Sequence, residues 1–365
     1  MEYDVRSYRL WDERAIVRLL EIVFSGWPHF GLSSSSLDHW IWKYFESSRG
    51  SINVYVAEHG SVIVGVEGRV PLKIKIGNDL FDCEQRCDLA VHPDHRGKGL
   101  FKKMHSSLND SSKKAGIKFS YAIEGNPIVI NQMKKAGAKT FEKKVKNFLY
   151  IRDVRKFLKR NEKKPLFLYK IILDMHKSLN KLRYTLSPNK MGKKTLVVTD
   201  VEYFEGRFDD FWMRVSKDYD YILVKDSPYL NWRYRDSRAG SYVVKVALES
   251  SEIIGYIVLS INRYEKEYPT GHIVDMLTLS GYEYIIASLL EESMKFFITE
   301  DVYLVNCWLI EDHPYIKYLK SYSFLDLNQQ VLFTFLLYNI DELSFNNIIG
   351  KNSRIYVSMA DSDHI

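Results

Sequence analysis

Hydrophobic positions near the start of the chain first alternate and then recur at helical spacing. Tyr3–Tyr8 alternates weakly, as a strand does. The next segment places its apolar residues on one helical face: Ile16, Leu19, Leu20, Val23 and Phe24. Ser33–Ser36 then offers N-cap residues for a second helix through Trp40 and Tyr44. The pattern predicts one strand followed by two helices.

The following segment has the spacing of β-strands. Val54–Glu58 and Val62–Val66 flank His59-Gly60, a pair typical of a hairpin turn. Val70–Ile76 and Glu84–Val91 extend the same sheet. A meander of antiparallel strands is therefore expected up to residue 91.

The hydrophobic period changes again after Val91. An amphipathic helix is marked by Leu100, Phe101, Met104 and Leu108, and a buried strand by Ile117, Phe119, Tyr121 and Ile123. Asn126 is a good N-cap, Pro127 suits the first helical position, and Gly137 ends that helix. The order predicts a mixed α/β fold whose central sheet is mostly antiparallel and flanked by helices.

A segment of the chain recurs about 190 residues later. Residues 42–65 are WKYFESSRGSINVYVAEHGSVIVG, and residues 232–255 are WRYRDSRAGSYVVKVALESSEIIG. Eleven of 24 positions are identical without a gap, where composition alone gives roughly one or two matches. The two halves are therefore predicted to be duplicated copies of one fold.

The repeat suggests a division of the chain into four parts. Residues 1–150 are expected to form the first domain, 151–196 a basic helical connector, 197–340 the second domain, and 341–365 a polar C-terminal tail. The connector holds 14 Lys or Arg against three acidic residues, although the net charge of the whole chain is only +6. Such a segment is either a solvated joint that packs across the domains or a surface for an anionic partner or membrane.

The turn between strand 84–91 and helix 100–111 is the strongest chemical signal. It reads His92-Pro93-Asp94-His95-Arg96-Gly97-Lys98-Gly99. A glycine-containing turn that opens a helix exposes several backbone N–H groups, which together with the helix dipole hold an anion. Glycine matters because a Cβ would block the close approach of a phosphate.

Residues 89–101, LAVHPDHRGKGLF, resemble the acyl-CoA motif R/Q-x-x-G-x-G/A of the GNAT superfamily of N-acetyltransferases. Arg96 and Gly99 match the first two fixed positions, whereas Phe101 departs from the final Gly or Ala. The resemblance covers residues 1–150 well and residues 200–340 as a degenerate second copy. In layout it is similar to tandem members such as mycothiol synthase and the Fem-type transferases.

The resemblance implies a site for acetyl-CoA, a cosubstrate that donates its acetyl group to a primary amine by direct attack. Backbone groups of Leu89, Ala90 and Val91 would lie along pantetheine, and one N–H would polarise the thioester carbonyl. The pyrophosphate would contact the turn and first helical residues: Arg96, Gly97, Lys98, Gly99, Leu100 and Phe101. Asn126 would lie near the CoA arm, where the two central strands separate.

The acid and base are harder to assign. Many family members place a glutamate where this chain has Cys87, and the usual tyrosine acid corresponds to Met133. Glu84, Asp88 and a water relay remain candidates for the base, and Tyr121 for the acid. His92 and His95 lack a third ligand, so no metal site is expected.

Composition narrows the setting without naming the acceptor. Three cysteines without paired spacing, no signal-peptide pattern and no long apolar run predict a cytoplasmic protein. The turn of the second copy corresponds to residues 283–288, which contain Glu283 and no glycine, so one CoA site is expected. The acceptor is a small molecule or a peptide amine, and nucleic acid is not expected. A ligand sensor without turnover and a Fem-like aminoacyl transferase remain alternatives.

Overall fold

The computed structural model describes residues 2–47, 49–50, 52–124, 127–135, 137–160, 196–350 and 352–363. Within these ranges, the first half contains seven strands: β1 (Tyr3–Ser7), β2 (Asn53–His59), β3 (Val62–Ile76), β4 (Asp79–Val91), β5 (Phe119–Glu124), β6 (Lys139–Thr140) and β7 (Val145–Ile151). Its helices are α1 (Glu13–Phe24), α2 (Ser36–Trp40), α3 (Leu100–Lys114), α4 (Pro127–Lys135) and α5 (Val154–Arg160). A π-helical turn, Ile41–Phe45, continues α2.

The second half repeats this order in outline, with β9 inserted between its first two helices and one strand, β14, where the first half has β6 and β7. Its strands are β8 (Leu196–Asp200), β9 (Tyr221–Leu223), β10 (Tyr242–Glu249), β11 (Glu252–Asn262), β12 (Thr270–Thr278), β13 (Leu304–Ile310) and β14 (Leu325–Leu337). Its helices are α6 (Arg207–Val215), α7 (Ser227–Tyr234), α8 (Ile285–Thr299), α9 (Ile316–Ser321) and α10 (Glu342–Ile349). The predicted mixed α/β class with a mostly antiparallel sheet is confirmed.

Strands of both halves join in one sheet, in the order β1-β2-β3-β4-β5-β14-β7-β13-β12-β11-β10-β8. The halves exchange strands at its centre. Residues 332–337 of β14 pair with β5 of the first half, while β7 pairs along its whole length with β13 of the second. The domain boundary at residue 150 remains a prediction. Strands of each half form hydrogen bonds with strands of the other half.

The sequence repeat corresponds to equivalent positions in the two halves. Trp42 and Trp232 stack with ring centroids 4.7 Å apart and planes 17° apart. Each indole N–H donates to the backbone carbonyl of the other tryptophan, at 3.0 and 3.3 Å. The two copies therefore meet through the same residue of the repeat, in an arrangement close to two-fold symmetry.

The last described residues differ from the polar tail expected for 341–365. Ile355, Tyr356, Val357, Met359 and Ala360 are buried in the core. Tyr356 donates to Asp275 Oδ1 at 2.6 Å, and Gln85 Nε2 donates to the backbone carbonyl of Asp361 at 3.1 Å. Apolar and polar residues alternate too weakly in this segment for the sequence to indicate burial. The segment is buried because it fills the space between the halves.

The connector is described only up to residue 160, and residues 161–195 lie outside the described part. Within α5, Lys156 pairs with Asp301, Lys159 with Glu267 and Arg160 with Glu265. These contacts tie the first turns of the connector to the second half, which favours packing across the domains for this part. In the described ranges, no helix has the length and apolar character needed to cross a membrane.

Candidate functional site

The central strands separate just below the glycine turn. Parallel pairing of β4 with β5 is confined to residues 83–85 and 119–121. A bulge interrupts β4 against β3, because Val66 faces Ala90 while Gly68 faces Cys87. Asp88 within the bulge has a φ of +50°. The bulge turns the last residues of β4 away from β5 and opens a gap between the strands.

The turn after β4 has the backbone expected of an anion site. Gly97 and Gly99 have φ values of +75° and +74°, and a Cβ built on either residue would meet no atom within 4 Å. Gly99 is the N-cap of α3, so the N–H groups of the first helical turn face open space. Arg96 Nε donates to the carbonyl of Val91 at 3.2 Å and fixes the turn against the strand.

A groove of about 720 Å³ runs from this turn between α3 and α4. Of the predicted CoA residues, Val91, Arg96, Gly97, Gly99, Leu100 and Phe101 line it. Leu89, Ala90 and Lys98 adjoin the lining residues in the chain but do not line the groove. Asn126 lies outside the described residues.

The charge of the groove is positive. Arg96, Lys102 and Lys135 line it together with His95, and no described carboxylate does. A groove of this size with cations and free N–H groups at one end suits an elongated ligand with an anionic head.

Two predicted base candidates have their oxygens occupied. Glu84 accepts from Ser112 Oγ at 2.6 Å and from Asn53 Nδ2 at 2.8 Å, beneath α3. Asp88 accepts from Tyr44 Oη at 2.6 Å, Lys43 Nζ at 2.8 Å and Trp27 Nε1 at 2.9 Å. Both arrangements favour a structural role, in which Asp88 pins the bulge to the helical layer.

Tyr121 is only 1% exposed, and its hydroxyl has no hydrogen-bond partner among the described residues. Burial raises its pKa well above the ordinary value, and the nearby Asp361 carboxylate adds to the effect. Its ring stacks on Phe333. The hydroxyl is therefore a neutral donor at the pH of the cell.

The buried C-terminal segment brings two carboxylates to the site, Asp361 and Asp363, that no local sequence signal indicates. Asp363 lies beside Cys87, the position where the resemblance expects a glutamate, and after burial its charge is the largest effect that raises the pKa of that thiol. Its Oδ2 also lies 3.3 Å from Lys43 Nζ. No local pattern signals this placement, because Asp363 and Cys87 are 276 residues apart in the chain.

The second carboxylate, Asp361, is 5% exposed and its Oδ1 has no described hydrogen-bond partner. Burial raises its pKa to about 6, against the opposing effect of Lys225. A carboxyl group with this pKa exchanges protons close to neutral pH.

A small cavity of about 30 Å³ is lined by Asp363 and by the cation Arg233. Trp42 and Trp232 line it together with Phe30, His39 and Lys43. Burial lowers the pKa of His39 to about 4, so this imidazole is neutral. The cavity has room for a small polar group or a water.

The second half has a different pocket at the corresponding strand ends, about 260 Å³ in volume. Its lining includes four carboxylates: Asp218, Glu283, Glu311 and Asp312. The residue before α8 is Tyr284 in place of a glycine. Lys143 and Arg354 line it as well, and Gly281 of the preceding turn lies outside the lining. With four carboxylates against two cations and no glycine in its lining, the pocket does not fit a pyrophosphate. The described residues contain no group of three His, Cys, Asp or Glu placed to hold a metal ion.

Residues 4–125 match the sequence model of the acetyltransferase (GNAT) domain. No curated protein matches the chain in sequence. The fold, in contrast, has many counterparts among solved structures.

A probable N-acyltransferase of unknown function from Enterococcus faecalis V583 aligns with a TM-score of 0.64 at 9% identity, over 95% of this chain and 75% of that one. A GCN5-related N-acetyltransferase from Anabaena variabilis aligns at 0.61 and 12% identity, over 93% and 73%. N-myristoyltransferase from Saccharomyces cerevisiae with bound myristoyl-CoA aligns at 0.62 and 11% identity, over 92% and 82%. At these identities the likeness concerns the fold alone.

Proposed function

Because residues 4–125 match the sequence model of the acetyltransferase (GNAT) domain, we propose that the protein transfers an acetyl group from acetyl-CoA to a primary amine. The observation that carries the proposal is the groove that begins at Gly97 and Gly99 and runs between α3 and α4 beside Val91, the last residue of β4. It offers N–H groups and cations at one end for the pyrophosphate. The gap between β4 and β5 takes the thioester.

In this proposal, CoA binds through the turn and the amine approaches from the side of Asp363. The small cavity beside Trp42 and Trp232 leads the amine toward the bulge. A backbone N–H of residues 89–91 polarises the carbonyl, and holding both reactants in place supplies much of the rate.

Asp363 is the proposed base, because it lies against Cys87, where the resemblance expects a glutamate. It takes the proton of the attacking amine, and the buried ammonium of Lys43 keeps its carboxylate in place.

Three buried free thiols, Cys83, Cys87 and Cys307, support a reducing, cytoplasmic setting. Contact of residues 151–196 with an anionic surface stays a proposal.

The test is release of free CoA thiol from acetyl-CoA with a panel of polyamines, amino acids, amino sugars and peptides. Asp363→Asn should lower kcat by about 100-fold or more at nearly unchanged acetyl-CoA affinity. The exposed Asp79→Asn serves as the matched control and should leave kcat unchanged. Tight acetyl-CoA binding without turnover on any amine would identify a sensor, and myristoyl-CoA as the better donor would correct the acyl group.

A further inference from the structure

The groove is lined by a histidine, His105, to which the proposed mechanism gives no role. His105 lies on α3, is 6% exposed and lines the groove. Its Nδ1 lies 2.8 Å from Oε1 of Glu67, a buried residue of β3. Burial raises the pKa of Glu67, but the hydrogen bond from His105 and the charge of Arg69 bring it below its ordinary value. The ionised carboxylate can only accept, so the hydrogen of this bond is on Nδ1.

The other ring nitrogen is unused. Nε2 of His105 is buried and has no hydrogen-bond partner among the described residues. The ring of Phe101 stacks on the imidazole, with centroids 5.3 Å apart, and lines the same groove. An unpaired buried ring nitrogen costs free energy in the unliganded protein, which indicates that a ligand supplies the partner.

The strand register places this histidine beside the proposed thioester position. Val66 faces Ala90 and Gly68 faces Cys87, so Glu67 between them lies opposite the bulge. Helix α3 runs back along β4, since Ser112 near its end bonds Glu84 at 2.6 Å. His105, about two turns earlier in α3, is therefore level with the last residues of the bulge.

The position that carries a tyrosine acid in the resembling family cannot supply a proton here. It is occupied by Met133, a buried residue of α4 whose thioether has no exchangeable hydrogen. His105 lines the groove from the facing helix, α3.

We propose that His105, in its imidazolium form, is the general acid that protonates the departing CoA thiolate. This step rests on the function proposed above. The amine nitrogen forms a bond to the acetyl carbon, the carbon–sulfur bond breaks, and its electron pair goes to sulfur. The Nε2 proton passes to that sulfur, and the amine proton passes to the base. His105 then regains a proton from water while the base returns one, so acetyl-CoA and amine give amide and free CoA.

Glu67 is a positioning residue in this scheme. Its carboxylate accepts from Nδ1 at 2.8 Å and fixes the orientation of the ring. Arg69 Nη2 is 3.4 Å from Glu67 Oε1 and donates to Asn109 Oδ1 at 2.7 Å, which holds the carboxylate under α3.

The test compares two acetyl donors in His105→Gln and His105→Phe. Acetyl-CoA releases a basic alkyl thiolate, whereas 4-nitrothiophenyl acetate releases a weakly basic aryl thiolate that needs no proton. Both variants should lose about 100-fold in kcat with acetyl-CoA and less than about threefold with the aryl ester, at nearly unchanged KM for acetyl-CoA. Lys103→Gln, exposed on the same helix, is the matched control and should change neither rate.

Thermal unfolding of each variant separates misfolding from loss of the acid, and the aryl ester provides a second check of an intact site. Equal losses on both donors, or full activity of His105→Gln on acetyl-CoA, would overturn the inference and leave the proposed function standing. A wild-type protein that releases no CoA with any amine overturns both.

Discussion

Gly97 and Gly99 are the residues on which the CoA site depends most directly. Their left-handed backbone disfavours any side chain, and the space above them is open. Gly77, in the turn between β3 and β4, shares both features with a φ of +60° but lies outside the groove. A comparison of alanine variants at Gly99 and Gly77 therefore separates the stability lost to backbone strain from the affinity lost when a ligand is blocked.

Gly99→Ala and Gly77→Ala should each destabilise the fold by about 1 kcal/mol, because each forces a Cβ into the left-handed region. Only Gly99→Ala should weaken acetyl-CoA, by at least about tenfold, since its Cβ enters the space that the phosphate needs. Urea unfolding gives the first quantity and titration calorimetry the second. Unchanged affinity in a folded Gly99→Ala protein would disprove the site.

The raised pKa of Asp361 predicts how the free energy of unfolding depends on pH. Its pKa of about 6 in the folded protein exceeds the ordinary 3.8, so folding favours the protonated form. Its contribution is fully present below pH 3.8 and is lost as the pH rises to about 6. Asp361→Asn escapes that loss, so the stability of the variant relative to wild type should rise by about 2 kcal/mol between pH 4 and pH 7. Chemical unfolding across this range tests it, and a difference independent of pH would contradict it.

Residues of the site could be found from sequence only where their neighbours in space are also neighbours in the chain. Arg96, Gly97 and Gly99 form one turn, so their spacing revealed them. Glu84 and Asp88 are base candidates from sequence because they lie on the strand beside the turn, but sequence does not show that Ser112 and Lys43 occupy their oxygens. Asp363 was missed because its partner Cys87 lies on a distant strand.

At the scale of elements, the joint between the copies rests on a stack of equivalent tryptophans. Trp42→Ala and Trp232→Ala should each cost about 3–5 kcal/mol, because each removes a large ring and one indole hydrogen bond to the partner. The double variant should cost less than the sum by about 1 kcal/mol, the energy of the stack itself. Urea unfolding of all four proteins measures this coupling. Strict additivity would show that the rings contribute only through burial.

The helices and the hairpin were predictable because their signals are local. Ser35 caps α2 through the N–H of Asp38, as the serine run suggested. The exchange of β7 and β14 was not predictable, because apolar strands such as Phe333–Leu337 can pair with several neighbours. Only the shape of the completed sheet selects β5 as the partner of β14.

At the scale of the whole molecule, the exchange makes each half depend on the other. Without the second half, β5 would lose β14, and the rings of Phe119 and Tyr121 would lose Phe335 and Phe333. Without the first half, β13 would lose its pairing with β7 along all seven residues from Val145 to Ile151. Each half alone would expose an unpaired strand edge at the sheet centre, which favours aggregation.

This dependence can be tested by expressing the chain as two fragments, residues 1–180 and residues 181–365. The division lies within the connector, and together the fragments contain every residue. Each fragment expressed alone should be insoluble or largely unfolded by circular dichroism, since it lacks the strand that closes its part of the sheet. Co-expressed fragments should co-purify as a one-to-one complex and bind one acetyl-CoA with nearly the affinity of the intact chain. One site is expected because the second half presents Asp218, Glu283, Glu311 and Asp312 where the first presents a glycine turn. A folded fragment 1–180 that binds acetyl-CoA alone would show that the halves are independent domains, and two bound CoA molecules would show that the acidic pocket also accepts the anion.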